Sequence, residues 1–207
     1  MGVHVSRIQS LTLDNIGTSQ LLIAATMSNN GFNDIMEASC NIQTFKPKPN
    51  STMDERNQFI RNKYLHRKYI IKTCTSELEL LNDLEQAVHS KDVYFLLQVW
   101  AEGANLSAPL PSNTLMETAL HQSIMREYDG SSLYIVDFLI QNSPDLDVIT
   151  RPDGNTALHY CVIYNRPECM KLLLRSKANY SLKNKMNKTP MDLARDDQNI
   201  FLIQLVS

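Results

Sequence analysis

Residues 155–194 read NTALHYCVIYNRPECMKLLLRSKANYSLKNKMNKTPMDLA, and the fold is decided there. The stretch opens on Thr156-Ala157-Leu158-His159 and returns to Thr189-Pro190-Met191-Asp192, a spacing of 189 − 156 = 33 residues. A threonine hydroxyl caps a helix N-terminus, and Pro190 stands at a first helical position, where a missing N–H is harmless. Leu158, Cys161 and Val162 share one face of the helix that follows Thr156. Met170, Leu172, Leu173 and Leu174 make a second, broadly apolar helix, as a helix packed between neighbours must be. Asp153-Gly154 supplies a turn just ahead of the unit.

The same opening occurs once more upstream, as Thr118-Ala119-Leu120-His121. A period of about 33 with a T-x-L-H opening is the signature of ankyrin repeats, and this half of the chain resembles them. Ser76–Leu106 reads as a worn first repeat, with a helix start near Asn82, Ala87 at the small position and Gly103-Ala104-Asn105-Leu106 as the turn onward. The helix starts are then spaced 118 − 82 = 36, 156 − 118 = 38 and 189 − 156 = 33 residues, so extra residues fall in loops around 108–113 and 128–132. Leu133–Ile140 is the second repeat's apolar second helix. The last repeat runs from Thr189 and stops inside its second helix, IFLIQLV. The resulting expectation is a mainly all-α chain, with ankyrin repeats over 76–207. Such arrays bind proteins through finger tips and a concave face. The tips here are Arg151–Asn155 and Lys183–Lys188, with Arg151, Asp153, Lys183, Lys185 and Lys188 as candidate contacts for an unknown protein ligand.

Composition narrows the classes. The 207 residues are 43% hydrophobic, enough for a sizeable core, and a net charge of −2 does not favour nucleic acid as a partner. No apolar run approaches the roughly 20 residues that span a bilayer. The start, MGVHVSRIQS, lacks a secretory apolar core. Cys40, Cys74, Cys161 and Cys169 form no C-x-x-C pair and read as free thiols of a cytoplasmic protein. His121 and His159 occupy the T-x-L-H slot and read as structural. Asp196-Asp197 reads as a solvated loop or helix entry, and Trp100 as core. No glycine-rich phosphate loop or nucleophile–base pair is present, so neither a catalytic residue nor a metal ligand is assigned.

The first third is less regular. Residues 1–16 alternate apolar and polar through Val3, Val5, Ile8, Leu11 and Leu13, which predicts a short strand or two. Thr18 or Ser19 caps a helix over Gln20–Ser28, with Asn29-Asn30-Gly31 as its end. A short helix comes next at Asn33–Ala38, then a proline-containing loop over Ser39–Thr52. Asp54–Ile71 returns to helical spacing, with Phe59, Ile60, Tyr64 and Leu65 on one side and a solvated basic face. The short link to the repeats predicts that they pack on this helix as one body.

GVHVSRIQSLTLD, NNGFNDIMEA and RNQFIRNKYLHRKYI together resemble the second half of an Arf GTPase-activating domain. With repeats directly after it, the chain resembles the ASAP group, Arf GTPase-activating proteins with SH3, ankyrin-repeat and PH domains. The resemblance implies a division into 1–75, a partial Arf-GAP domain, and 76–207. It implies a small Arf-family GTPase as partner, with Leu13, Asp14 and Arg7 at or near the contacting face. It implies GTPase activation in membrane trafficking and at the actin cytoskeleton, with membranes reached only peripherally, through other domains of a longer parent. In the family a four-cysteine zinc finger leads into a segment resembling H-R-E-[LM]-G-V-H, whose arginine is catalytic. Met1 falls at the [LM] position, so the expectation is no cofactor in this chain, zinc in the parent, and no stimulation of GTP hydrolysis by these residues alone. Such a protein regulates another's turnover and is not itself an enzyme. The alternative is an ankyrin scaffold with no GTPase-activating role. Met1, Gly2 and Ser6 also fit the N-myristoylation pattern, against which stands the reading of Gly2-Val3-His4 as an internal folded segment.

Overall fold

The computed structural model describes residues 14–40, 46–200 and 202–203. The architecture is all-α, and no strand occurs among the described residues. Four first helices, α4 (Glu77–Ser90), α6 (Ala119–Arg126), α8 (Ala157–Ile163) and α10 (Pro190–Asp196), stand in series, each against the next. Behind them lie the second helices α5 (Val93–Glu102), α7 (Leu133–Asn142) and α9 (Pro167–Arg175).

The repeat opening works as a cap. The Thr156 backbone N–H donates to His159 Nδ1 at 3.1 Å, and Thr118 does the same to His121 at 3.3 Å. In the last repeat a carboxylate replaces the imidazole: Asp192 Oδ2 accepts from the Thr189 N–H at 2.9 Å while Thr189 Oγ1 accepts from the Asp192 N–H at 3.1 Å. Five residues after each threonine the side chain is small and buried: Ser123, Cys161 and Ala194, matched by Ala87 after Asn82. The register set from Asn82 therefore holds. The helix itself begins earlier, at Glu77, because Ser76 Oγ accepts from the Glu79 N–H at 3.2 Å and Glu77 and Glu79 suit a helix N-terminus. Gly103 ends α5 at φ 103°, a left-handed position where glycine avoids the Cβ clash.

Ahead of the array, α1 (Thr18–Thr26) and α2 (Asn29–Met36) lie against its second helices, α1 on α7 and α2 on α5. Asn29-Asn30-Gly31 therefore opens a helix instead of closing one. Ser28 caps it, accepting from the Gly31 N–H at 3.0 Å. Met36 is fully buried, and Leu22, Ile23, Phe32 and Ile35 pack on the same core. Burying side chains of this size is worth roughly 1.5–3 kcal/mol each, which fastens the segment.

The expected helix over 54–71 is α3 (Met53–Ile60), continued by one π-helical turn, Arg61–Leu65, and it stops there. Leu65 is 69% exposed and Tyr64 45%, so the predicted apolar side is not a core face. The expected solvated basic face also fails at Lys63. Its side chain is buried, donates to Glu37 Oε1 at 2.7 Å and lies over the rings of Phe32 and Tyr64. Nor does α3 carry the array, since α1 and α2 make that contact. The segment after the π turn does touch it: Arg67 reaches Trp100, the Ile71 carbonyl accepts from Gln98 Nε2 at 2.8 Å, and Glu102 accepts from the Thr73 and Cys74 N–H groups. Trp100 is half-buried at this seam, with its ring edge-on to Phe138. The predicted strands at 1–16 fall, except for 14–16, outside the described residues, as do 41–45 of the predicted loop.

Candidate interaction surfaces

Between the helix pairs, three fingers are bolted together through their backbones. The Arg151 N–H donates to the Leu115 carbonyl at 2.6 Å, and the Lys185 N–H to the Asp153 carbonyl at 2.8 Å. Buried Asn184 donates from Nδ2 to Asn155 Oδ1 at 2.9 Å, and its own Oδ1 accepts the N–H groups of Met186 and Lys188. Gly154 is needed here. Its φ is +71°, and a Cβ would come within 3.3 Å of Lys185 Cγ and 3.4 Å of Lys185 N.

The histidines lock the fingers to the helices. Because His159 Nδ1 accepts the Thr156 N–H, the proton sits on Nε2, which donates to the Lys188 carbonyl at 3.0 Å. His121 is held the same way by Thr118, with the Asn155 backbone on its other side. Burial lowers both pKa values, that of His121 to about 4. Both rings are neutral and buried, each Nδ1 is tied to its capping threonine and His159 Nε2 to Lys188, while His121 Nε2 has no hydrogen-bond partner among the described residues. Enclosed in the repeat core, neither ring is placed for acid–base work or for binding a metal.

The outward side chains of the fingers differ from one another. Arg151, Asp153, Lys183 and Lys185 are exposed and make no ion pair among the described residues, whereas Lys188 is bound to Asp196 at 2.5 Å, which raises its pKa. Lys188 is thus a strut, and Asp196 sits at the end of α10 rather than at a helix entry. Leu115 and Met186, which the charge pattern alone does not single out, are 42% and 61% exposed on the same row. Of the residues expected to face a GTPase, Asp14 is exposed, while Leu13 and Arg7 lie outside the described residues.

The cysteines assemble no metal centre. All four are free, and no group of three His, Cys, Asp or Glu suited to a metal occurs among the described residues. Cys74 instead donates to Asp83 Oδ2 at 3.1 Å, while Cys161 and Cys169 are buried in the repeat core. The residues present do not fit a four-cysteine zinc site.

A stack of finger-bearing helix pairs capped by T-x-L-H defines an ankyrin-repeat protein. Residues 84–184 and 120–204 match the family model "Ankyrin repeats (3 copies)", more than half of the chain, and the protein belongs to that family. Residues 1–73 match a second family, "Putative GTPase activating protein for Arf", so an Arf-GAP segment precedes the repeats. Over 167 residues the chain is 30% identical to the ADP-ribosylation factor GTPase-activating protein effector protein 1 of Saccharomyces cerevisiae, covering 75% of this chain and 35% of that protein. It is 36% identical over 73 residues to the Gallus gallus Arf-GAP with coiled-coil, ANK repeat and PH domain-containing protein 2, covering 35% of this chain and 9% of that one. The Oryctolagus cuniculus protein of the same name is 28% identical over 131 residues, 63% of this chain and 16% of its own length. The chain thus spans about a third of the yeast relative and far less of the vertebrate ones.

Proposed function

We propose that this chain belongs to an activator of small Arf-type GTPases, in which the segment up to residue 75 faces the GTPase and the ankyrin array offers a separate protein-binding row. The observation that carries the reading is the Arf-GAP match over 1–73, joined to a segment that seats α1 and α2 on the second helices and leaves the fingers open. Asp14, exposed, with Leu13 and Arg7 beside it in sequence, is the proposed GTPase contact. The role is regulatory: the hydrolysed bond belongs to the GTPase, and an activator stabilises charge developing on the transferring phosphoryl group. Four free thiols support work in the cytoplasm, with membrane association only peripheral.

The test is binding of an Arf protein loaded with a non-hydrolysable GTP analogue, compared with its GDP form. Nucleotide-dependent binding, weakened several-fold by Asp14→Lys while helicity is kept, is expected. Absence of binding in both nucleotide states would overturn the reading.

A further inference from the structure

The finger row carries exposed cations that form no ion pair among the described residues. Arg151 and Lys185 come from adjacent fingers held by the Lys185 N–H to Asp153 carbonyl bond, and Lys183 stands two residues before Lys185. None of the three ends in an ion pair among the described residues, although the chain as a whole has a net charge of −2; the Asp192 carboxylate feels the charge of Lys183 without contact. The neighbouring Lys188 shows what pairing looks like on this row, tied to Asp196 at 2.5 Å. The stem of Lys185 passes over Gly154, where any side chain would crowd it, so its position is set by the finger. Alongside stand two apolar side chains, Leu115 at 42% and Met186 at 61% exposure. Methionine adapts its shape to an apolar partner with little strain.

We propose that this ridge is the docking site for an extended acidic peptide segment of another protein, one that alternates carboxylates with apolar side chains. The carboxylates meet Arg151, Lys183 and Lys185, and the apolar residues cover Leu115 and Met186. The assignment rests on the reading of the array as a protein-binding surface, and it names the chemistry of the partner. A peptide fits better than a membrane or a nucleic acid. Lipid-surface recognition uses clusters of about 4–8 basic residues, and phosphate backbones call for broad positive fields. Here three cations stand beside Asp153, with Asp192 within reach of Lys183, on a chain that is negative overall.

The experiment measures fluorescence anisotropy of a labelled peptide of alternating Glu and Leu, and of its Gln–Leu twin, with the whole chain. The Glu–Leu peptide is expected to bind, to weaken as salt rises, and to exceed its twin. The triple variant Arg151→Glu, Lys183→Glu, Lys185→Glu should bind about tenfold more weakly or worse, the sum of three exposed charge pairs of ordinary strength. Lys183→Gln with Lys185→Gln, milder and safe for folding, should lie between, and Met186→Ser should weaken binding several-fold. Equal binding of the Gln–Leu twin, or an unchanged triple variant, would overturn the proposal. So would failure of both peptides where phosphatidylserine vesicles or an RNA oligomer bind. Arf carrying the GTP analogue is run in parallel. If the unmodified chain fails to bind it, the Arf reading falls and the finger assignment stands on the peptide result. If the triple variant loses Arf and peptide together, the separate site is refuted.

Discussion

Arg67 lays its guanidinium over Trp100, 3.9 Å from the ring centroid, and donates from Nη1 to the Trp100 carbonyl at 2.7 Å. One side chain thus grips both the side chain and the backbone of α5, directly after the π turn and at a left-handed φ of 47°. A partly desolvated cation–π contact and a charged hydrogen bond are together worth about 2 kcal/mol. Arg67→Ala should lower unfolding free energy by about that much, and Arg67→Lys by less. It should also quicken amide exchange over 67–76 while α8 and α9 keep their protection. Unchanged exchange in that segment would show that the grip is unimportant.

Gly31 touches the ring of Tyr94, where a Cβ would lie 2.5 Å from the nearest ring carbon. The ring cannot retreat freely, because its hydroxyl accepts from the Ser28 N–H at 2.9 Å. Glycine to alanine inside a helix ordinarily stabilises by about 1 kcal/mol. Here Gly31→Ala should destabilise by about 1–3 kcal/mol through overpacking. With Tyr94→Ala in the background the sign should revert. Thermal unfolding of the four proteins of that cycle decides it.

Burial holds His121 at about 4, below its ordinary 6.5, and lowers His159 in the same direction. A buried imidazole whose folded pKa is depressed contributes stability that is complete above about 6.5 and drains away as pH falls toward 4. For His121 the full loss is on the order of 3 kcal/mol. The depressed carboxylates Glu37, Glu102 and Asp192 act at lower pH, below their ordinary 4.5 or 3.8. Urea unfolding between pH 6.5 and 4.5 should therefore weaken in the parent chain and weaken less in His121→Gln, from that variant's own lower starting point.

Desolvation and then Asp83 push the Cys74 thiol up to about 11. Thiolate is the reacting form, so Cys74 should alkylate slowly with iodoacetamide although it is only half-buried. Asp83→Asn should speed the reaction several-fold. Cys161 and Cys169, buried and with raised pKa values, should react only on unfolding. Mass mapping of the labelled cysteines at neutral pH separates the two behaviours.

How much of the fold is legible in the sequence depends on the range of each interaction. Thr156 with His159 and Thr189 with Asp192 are contacts three residues apart, so caps, register and finger positions can be read from the string itself. Gly31 misleads because its reason lies in Tyr94, brought in by the fold and invisible to local turn chemistry. Lys63 reads as a surface cation because Glu37, its partner 26 residues earlier, is brought beneath it only by packing of α2. The finger cations are visible as residues. That Lys188 is occupied and Lys185 is not depends on where Asp196 comes to rest.

Trp100 has one further consequence. The chain carries a single tryptophan, and it lies on the seam between the Arf-GAP segment and the repeats. Its emission is therefore a single-address signal of that seam, while the far-ultraviolet dichroism sums every helix. Followed together through a denaturant series, two coincident curves would mean that the segment and the array melt as one cooperative unit. An earlier fluorescence step would mean that the segment can lift off while the solenoid stays wound, leaving a peelable cover over its second helices.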